Sequence, residues 1–264
     1  MLWFLDFDVV DPSRGDLGSS EEGGGPLPEQ DAKRARSVFD RVKGEDWYLR
    51  CSDRALEAFA RAGSTRRMTH GEILSQRGDM VDALAIILDG TLEVSITTFD
   101  GRRHVLGFVG QGQLVNLIPI LDDQVAIHDF YTHQQCELFI IPKSAFIDVV
   151  DSEPVLARHL MRLLCLRSRV LYDRLADASL LPLRSRCARA ILSLLPVADV
   201  QQPQAEPVQI QLAQWELADM VGVSRQTLNA ELRRLENLGV IERKYSNIRV
   251  TDMSAFMEIA ASEY

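Results

Sequence analysis

Four polar side chains, Arg225, Gln226, Asn229 and Arg233, fall at helical spacing within "SRQTLNAELRRLENLGV". On one helix they share a face and its flank. A guanidinium can donate paired hydrogen bonds to guanine, and a carboxamide can pair in the same way with adenine. The chemistry on offer is therefore base reading rather than bond making. Arg225 and Gln226, nearest the amino end, are the leading readers. Asn229 is a secondary one, and Arg233 can reach bases or backbone. Gln214, Ser224, Arg243, Lys244 and Ser246 are candidate phosphate contacts, which position a protein on a duplex without reading sequence.

Such a helix needs a frame. A first helix over about 213–220 turns Leu217 and Ala218 inward, Gly222 supplies a turn with little side-chain volume, Val223 plugs the core and Ser224 caps the next helix. Leu228, Leu232 and Leu235 form the inward stripe of the second helix, and alternation over 240–251 suggests a two-stranded wing. Two helices joined by glycine also occur in plain bundles, and an exposed Arg is commonly just solvated. What favours a DNA-reading unit is the whole order: small residue, Gly, apolar residue, Ser, Arg, polar face, wing.

Upstream, apolar residues at three- and four-residue spacing suggest helix within 31–62. The period then changes to two: Leu84, Ile86 and Leu88, then Leu92, Val94 and Ile96, with Asp89–Gly90 and Asp100–Gly101 where tight turns are wanted. Roughly 70–143 reads as an antiparallel β roll. From Pro154 to about Ala178 a helical stripe of Leu156, Leu160, Leu163, Leu164, Leu171 and Leu175 needs cover along its length. Packing on the β roll accounts for part of it and a second copy for the rest, which predicts a homodimer. Pro182 interrupts the helix, another starts within "LRSRCARAILSLLPVA", and 197–207 is a polar connection. The fold class is thus α+β: a jelly-roll β roll, a long dimerisation helix and a carboxy-terminal winged helix-turn-helix. The expected divisions are a flexible acidic leader at 1–30, a sensor-like roll at 31–150, the dimer helix at 151–180 and the DNA-binding unit at 181–264.

With 264 residues the chain is long enough for two medium domains. Its formal charge of −9 argues at first against nucleic acid. Residues 1–30, however, hold seven acids against one Arg, a net of −6, whereas six cations cluster within 225–249 against three glutamates. The scattered cysteines, 51, 136, 165 and 187, read as reduced core thiols of a cytoplasmic protein rather than as metal or disulfide spacing. No stretch reaches the 18 apolar residues of a membrane span. "GFVGQGQ" lacks the strand–turn–helix context of a nucleotide loop, and no catalytic set stands out, so neither an enzyme nor a metal site is expected. A sensor-domain enzyme, or a scaffold whose winged helix meets proteins, is the alternative from another class.

The segments "VGVSRQTLNAELRRLENLGVI" and "MTHGEILSQRGDMVDALAIILDGTLEVS" resemble the bacterial catabolite-activator and fumarate-nitrate-reduction family of transcription regulators, over about 60–251. The resemblance implies a cyclic-nucleotide-binding-like β roll for effector sensing, a long dimer helix, a winged helix on double-stranded DNA and dealings with RNA polymerase. Arg225 and Gln226 match base-reading positions, with Gln226 replacing the commoner Glu, and Ala230 stands where many members carry Arg. Cyclic-nucleotide sensors of the family hold phosphate with a Gly–Glu turn and an Arg–Ser pair. Here the turn is read as Gly112–Gln113 and the pair as Ala126–Ile127, so the phosphate-binding charge is missing and cyclic AMP is disfavoured. The resemblance puts a candidate effector pocket between Gly112, Gln113, Leu114 and Asn116 and the helix around Leu171 and Tyr172. No cofactor is assigned. An unidentified small molecule remains open, and haem less so, since regular alternation puts His128 and His133 on opposite faces near Cys136.

Overall fold

The computed structural model describes residues 51–101, 103–195, 208–244 and 247–262. The expected leader, the polar connection at 197–207 and Ser246 lie outside them. Of the helical stretch expected over 31–62, helix α1 (Asp53–Ala62) is described. Ser52 caps it by accepting the Ala55 N–H at 3.1 Å, and Phe59 stacks on Phe146 with ring centroids 5.8 Å apart.

Two antiparallel four-stranded sheets follow. One holds β1 (Ser64–Met68), β8 (Cys136–Pro142), β3 (Ala83–Asp89) and β6 (Leu114–Val115), in that spatial order. The other holds β2 (Ile73–Ser75), β7 (Asp129–Thr132), β4 (Leu92–Thr97) and β5 (Arg103–Val109). β3 is apolar on both faces because both are covered. Leu84, Ile86 and Leu88 pack towards α1 and the helices after β8, while Ala85 and Ile87 face the inter-sheet core with Met68, Leu92 and Leu138. Gly90 makes the β3–β4 turn with φ +87°; a Cβ there would also collide with the Gln135 carbonyl and the Cys136 sulfur.

β4 departs from the expected alternation. Leu92 is buried, but Val94 and Ile96 are only half-buried, whereas the polar Glu93 and Ser95 on the other face are buried. The supposed solvent face is covered: Arg103 donates to Glu93 Oε1 and to Ser95, and the carboxy-terminal unit sits close by.

Short helix α2 (Leu117–Asp122) bridges β6 and β7, and α3 (Lys143–Ser152) leads into α4 (Pro154–Leu180). At ~1.5 Å per residue α4 spans about 40 Å. Leu156 and Leu160 are buried in the roll's core and Leu163 and Leu164 pack against it, but Leu171 and Leu175 are exposed. Arg167 and Arg174 tie the helix to the roll by donating to the carbonyls of Leu114 at 3.0 Å and Leu106 at 2.8 Å. Leu181 is extended, as a residue before proline prefers, which ends α4. Across the bend Arg189 of α5 (Leu183–Leu192) pairs with Asp177 at 2.6 Å. Not all four cysteines are core thiols: Cys165, on α4's outer side, is exposed.

The carboxy-terminal unit has its own core, with Leu217, Leu228, Leu232, Leu235, Ile191 and Phe256 fully buried. It comprises α5, β9 (Val208–Gln211), α6 (Gln214–Val221), α7 (Arg225–Asn237), the hairpin β10 (Ile241–Lys244) and β11 (Asn247–Val250), and α8 (Met253–Ala261). β9 adds a third strand on β11 that the sequence reading did not foresee. α6 docks on β5, and Phe108 of the roll packs against the unit's core. Leu232→Ala should lower the unfolding free energy by about 2–5 kcal/mol, while Leu238→Ala, at an exposed site, should change it by less than about 0.5 kcal/mol; urea midpoints at constant slope decide between them.

Candidate nucleic-acid interface

α6 and α7 are joined by a turn whose chemistry is local. Gly222 adopts φ +73°, and its N–H donates to the Asp219 carbonyl at 3.0 Å. A Cβ there would meet nothing nearer than the Arg186 guanidinium at 4.0 Å. Glycine is thus required by the left-handed backbone, not by the small side-chain volume expected from the sequence. Ser224 caps α7, its hydroxyl accepting the Thr227 N–H at 3.1 Å and lying 2.7 Å from the Thr227 hydroxyl.

With Leu228, Leu232 and Leu235 buried, the opposite face of α7 is open. Arg225, Gln226, Ala230 and Arg233 are exposed and Asn229 is half-buried. The structure thus gathers the four expected base readers on one accessible helix. Thr227, exposed beside Ser224, belongs to the same surface and was missed; its position in the first turn was the available signal. Arg234 is not free for DNA, being paired with Glu231 three residues earlier.

The expected phosphate contacts divide. Lys244 is exposed at the end of β10, Ser224 is exposed, and Gln214 is half-buried at the start of α6. Arg243 is committed elsewhere. Its Nε and Nη2 donate to Glu236 Oε2 at 3.0 and 2.6 Å, and its backbone N–H to Oε1 at 3.3 Å. It clamps the wing to α7, a role that only the folded hairpin reveals. Arg249 lies 3.3 Å from Glu242 across the wing.

The candidate effector pocket does not assemble within the chain. Gly112 and Leu114 are buried in the roll, and Gln113 folds back so that its Oε1 accepts the Gly110 N–H at 2.9 Å. Asn116 takes φ 66° ahead of α2, with its Oδ1 accepting from Ser75 at 3.1 Å. Leu171 and Tyr172 are 66% and 73% exposed on α4. At the Ala126–Ile127 site Ala126 is buried, its backbone bonded to Gly78 and Asp79, and Ile127 is exposed. His128, His133 and Cys136 do not converge as a ligand set: burial pushes the His128 imidazole below its ordinary pKa, Cys136 donates to the Thr91 carbonyl, and His133 faces the winged unit.

That last contact is a site the sequence did not disclose. His133 Nδ1 lies 3.2 Å from Glu216 Oε1 on α6, with its ring edge-on to Phe108 at 4.6 Å. β5 and the turn just past β7 thus meet α6.

Comparison with known proteins agrees with this architecture. Residues 65–153 match the family described as cyclic nucleotide-binding domain, and residues 185–259 match the Crp-like helix-turn-helix domain. A CRP-like cAMP-activated global transcriptional regulator of Mycobacterium tuberculosis is 25% identical over 69% of this chain and 81% of its own. A cyclic AMP receptor protein of Thermus thermophilus is 26% identical over 79% of this chain and 91% of its own. Among solved structures, FixK2 of Bradyrhizobium japonicum shares the fold at a TM-score of 0.66 with 14% identity, over 76% of this chain and 99% of its own. A CRP/FNR-family regulator of Thermus thermophilus does so at 0.62 with 22% identity, over 76% and 100%.

The wing clamp makes stability depend on pH. The hydrogen-bonded Arg243 guanidinium holds the Glu236 carboxyl below its ordinary pKa. A depressed folded value means that the stabilisation is present above the unfolded glutamate pKa of ~4.3 and is lost as pH falls through the folded value. Urea titrations of wild type and Glu236→Gln should therefore diverge at neutral pH, with wild type the more stable, and converge in acid.

Proposed function

We propose that the chain is a transcription regulator of the bacterial catabolite-activator and fumarate-nitrate-reduction family, acting as a homodimer whose α7 helices read two half-sites of double-stranded DNA; the matches to the cyclic nucleotide-binding and Crp-like helix-turn-helix domains support this. The observation that carries this reading is the open polar face of α7, on which Arg225, Gln226, Asn229 and Arg233 lie opposite a fully buried leucine stripe. Arg225 and Gln226 read bases first, Asn229 and Arg233 extend the register, and Lys244, Ser224, Gln214 and Ser246 hold phosphates.

Dimerisation is supported by the outer face of α4. Met161, Leu171, Tyr172, Leu175 and Leu180 are all more than half exposed there. A second α4 packed along this seam buries them and sets the recognition helices about 34 Å apart, one turn of DNA. The β roll serves as a sensor that does not take cyclic AMP, although relatives are named for that ligand. Neither Ala126 nor Ile127 offers a cation to a cyclic phosphate, and a desolvated phosphate without one is strongly disfavoured. A different small molecule is the effector, haem being the less favoured candidate. Its occupancy acts at the bend around 178–183, where Asp177 and Arg189 couple α4 to α5. The DNA-bound dimer works in the cytoplasm and acts on RNA polymerase.

Fragments bound from the host genome provide the test, with Arg225→Ala as control. That change should cost about 1–3 kcal/mol at one base step, read as about a 5- to 150-fold loss for the selected operator with little loss for random DNA. Lys244→Ala should weaken both alike and reduce the salt slope by about 1. Retention of operator affinity by Arg225→Ala would overturn the reader assignment, and failure of the wild type to select any DNA would favour a scaffold. Leu175→Asp should shift sedimentation from dimer to monomer and weaken operator binding. Calorimetry with cyclic AMP should give no saturable heat.

A further inference from the structure

We propose that Glu93, His133 and Glu216 form a binding site for a divalent transition-metal ion that pins the winged unit to the β roll. One donor atom from each lies within 4.8 Å of the others: a carboxylate oxygen on β4, an imidazole nitrogen just past β7, and a carboxylate oxygen in the first turn of α6. Far apart in the sequence, they are assembled only by docking α6 against the roll.

Electrostatics points to a cation. Glu93 and Glu216 are 4% and 5% exposed, and two desolvated carboxylates this close are costly unless positive charge offsets them. Arg103 offsets one. Both of its contacts fall on Glu93 Oε1, at 2.5 and 2.8 Å, with the guanidinium held 3.9 Å over the Tyr131 ring. Glu216 uses Oε2 to accept the Ala213 N–H at 2.6 Å, which leaves Oε1 turned to His133. One turn along α6, burial pushes the Asp219 carboxyl above its ordinary pKa, opposed by the nearby His104 and Arg103. Three carboxylates thus share one guanidinium and two imidazoles, and a divalent ion adds positive charge where Glu216 Oε1 and His133 Nδ1 face each other.

The donor set is one imidazole nitrogen and two carboxylate oxygens, suited to Zn²⁺, Co²⁺, Fe²⁺ or Mn²⁺, with positions left for water. His133 is preset for this role. Its backbone N–H donates to the Thr91 carbonyl at 2.9 Å and its backbone carbonyl accepts from His70 Nδ1 at 2.8 Å, which fixes the main chain, while Phe108 buttresses the ring. Because the roll supplies two donors and the winged unit one, ion binding and domain docking must favour each other.

Full-length protein titrated with Co²⁺ or Zn²⁺ should take up one ion per chain at this site. His133→Gln and Glu216→Gln, the latter keeping an acceptor for the Ala213 N–H, should each lower affinity at least tenfold and abolish the rise in melting temperature that Zn²⁺ gives the wild type. Zinc-edge X-ray absorption of the loaded wild type should show nitrogen and oxygen neighbours including imidazole, and no sulfur, which separates the site from the free cysteines whether or not the variants fold. No uptake by the wild type, a sulfur shell, or undiminished binding by folded His133→Gln would each overturn the assignment.

Discussion

The contact on which the arrangement turns is the seat of α6 on β5. Phe108 leaves the β roll to pack against the core of the winged unit, while Glu93 and Ser95, polar residues of a strand that would otherwise face water, are buried at the same side of the roll. Apolar burial supplies the attraction. The polar groups enclosed with it fix the geometry, because a buried donor or acceptor tolerates few orientations. Arg103, His133 and Glu216 therefore act as registration for two domains whose apolar surfaces alone would permit sliding.

α4 transmits that registration. Its amino-terminal half is a core helix, with Leu156 and Leu160 buried. Its carboxy-terminal half is held to the roll by guanidinium-to-carbonyl bonds rather than by burial. Such bonds are directional and exchangeable with water, so that half can shift without opening a cavity in the core. The Asp177–Arg189 pair spans the proline bend to α5, which lies within the winged unit's core.

Much of this was legible in the sequence because it is periodic. The leucine stripe of α7, the Ser224 cap, the long α4 and its proline stop each have a local signature, and the structure holds them where that signature puts them. The net charge of −9 misled only as an average, since six of those charges fall within 1–30. What escaped was set by tertiary cover. Nothing near Glu93 announces that α6 will lie close to it, nothing near Arg243 announces Glu236, and nothing near the apolar Leu171 and Tyr172 announces that both stay exposed on α4. Gly222 was recognised for the wrong reason, since a sequence shows that a side chain is absent but not whether space or dihedral requires it.

The Arg243–Glu236 clamp has a consequence for how DNA is met. Two side-chain bonds and one backbone bond join the last turn of α7 to the first strand of the wing, so the angle between helix and hairpin is set before any duplex arrives. On the proposed DNA-reading role, a duplex would have to bring its groove and its flanking phosphates to a gauge of fixed width. Sequences that widen or narrow the groove are sorted by how much they must deform to fit it, at positions no side chain touches.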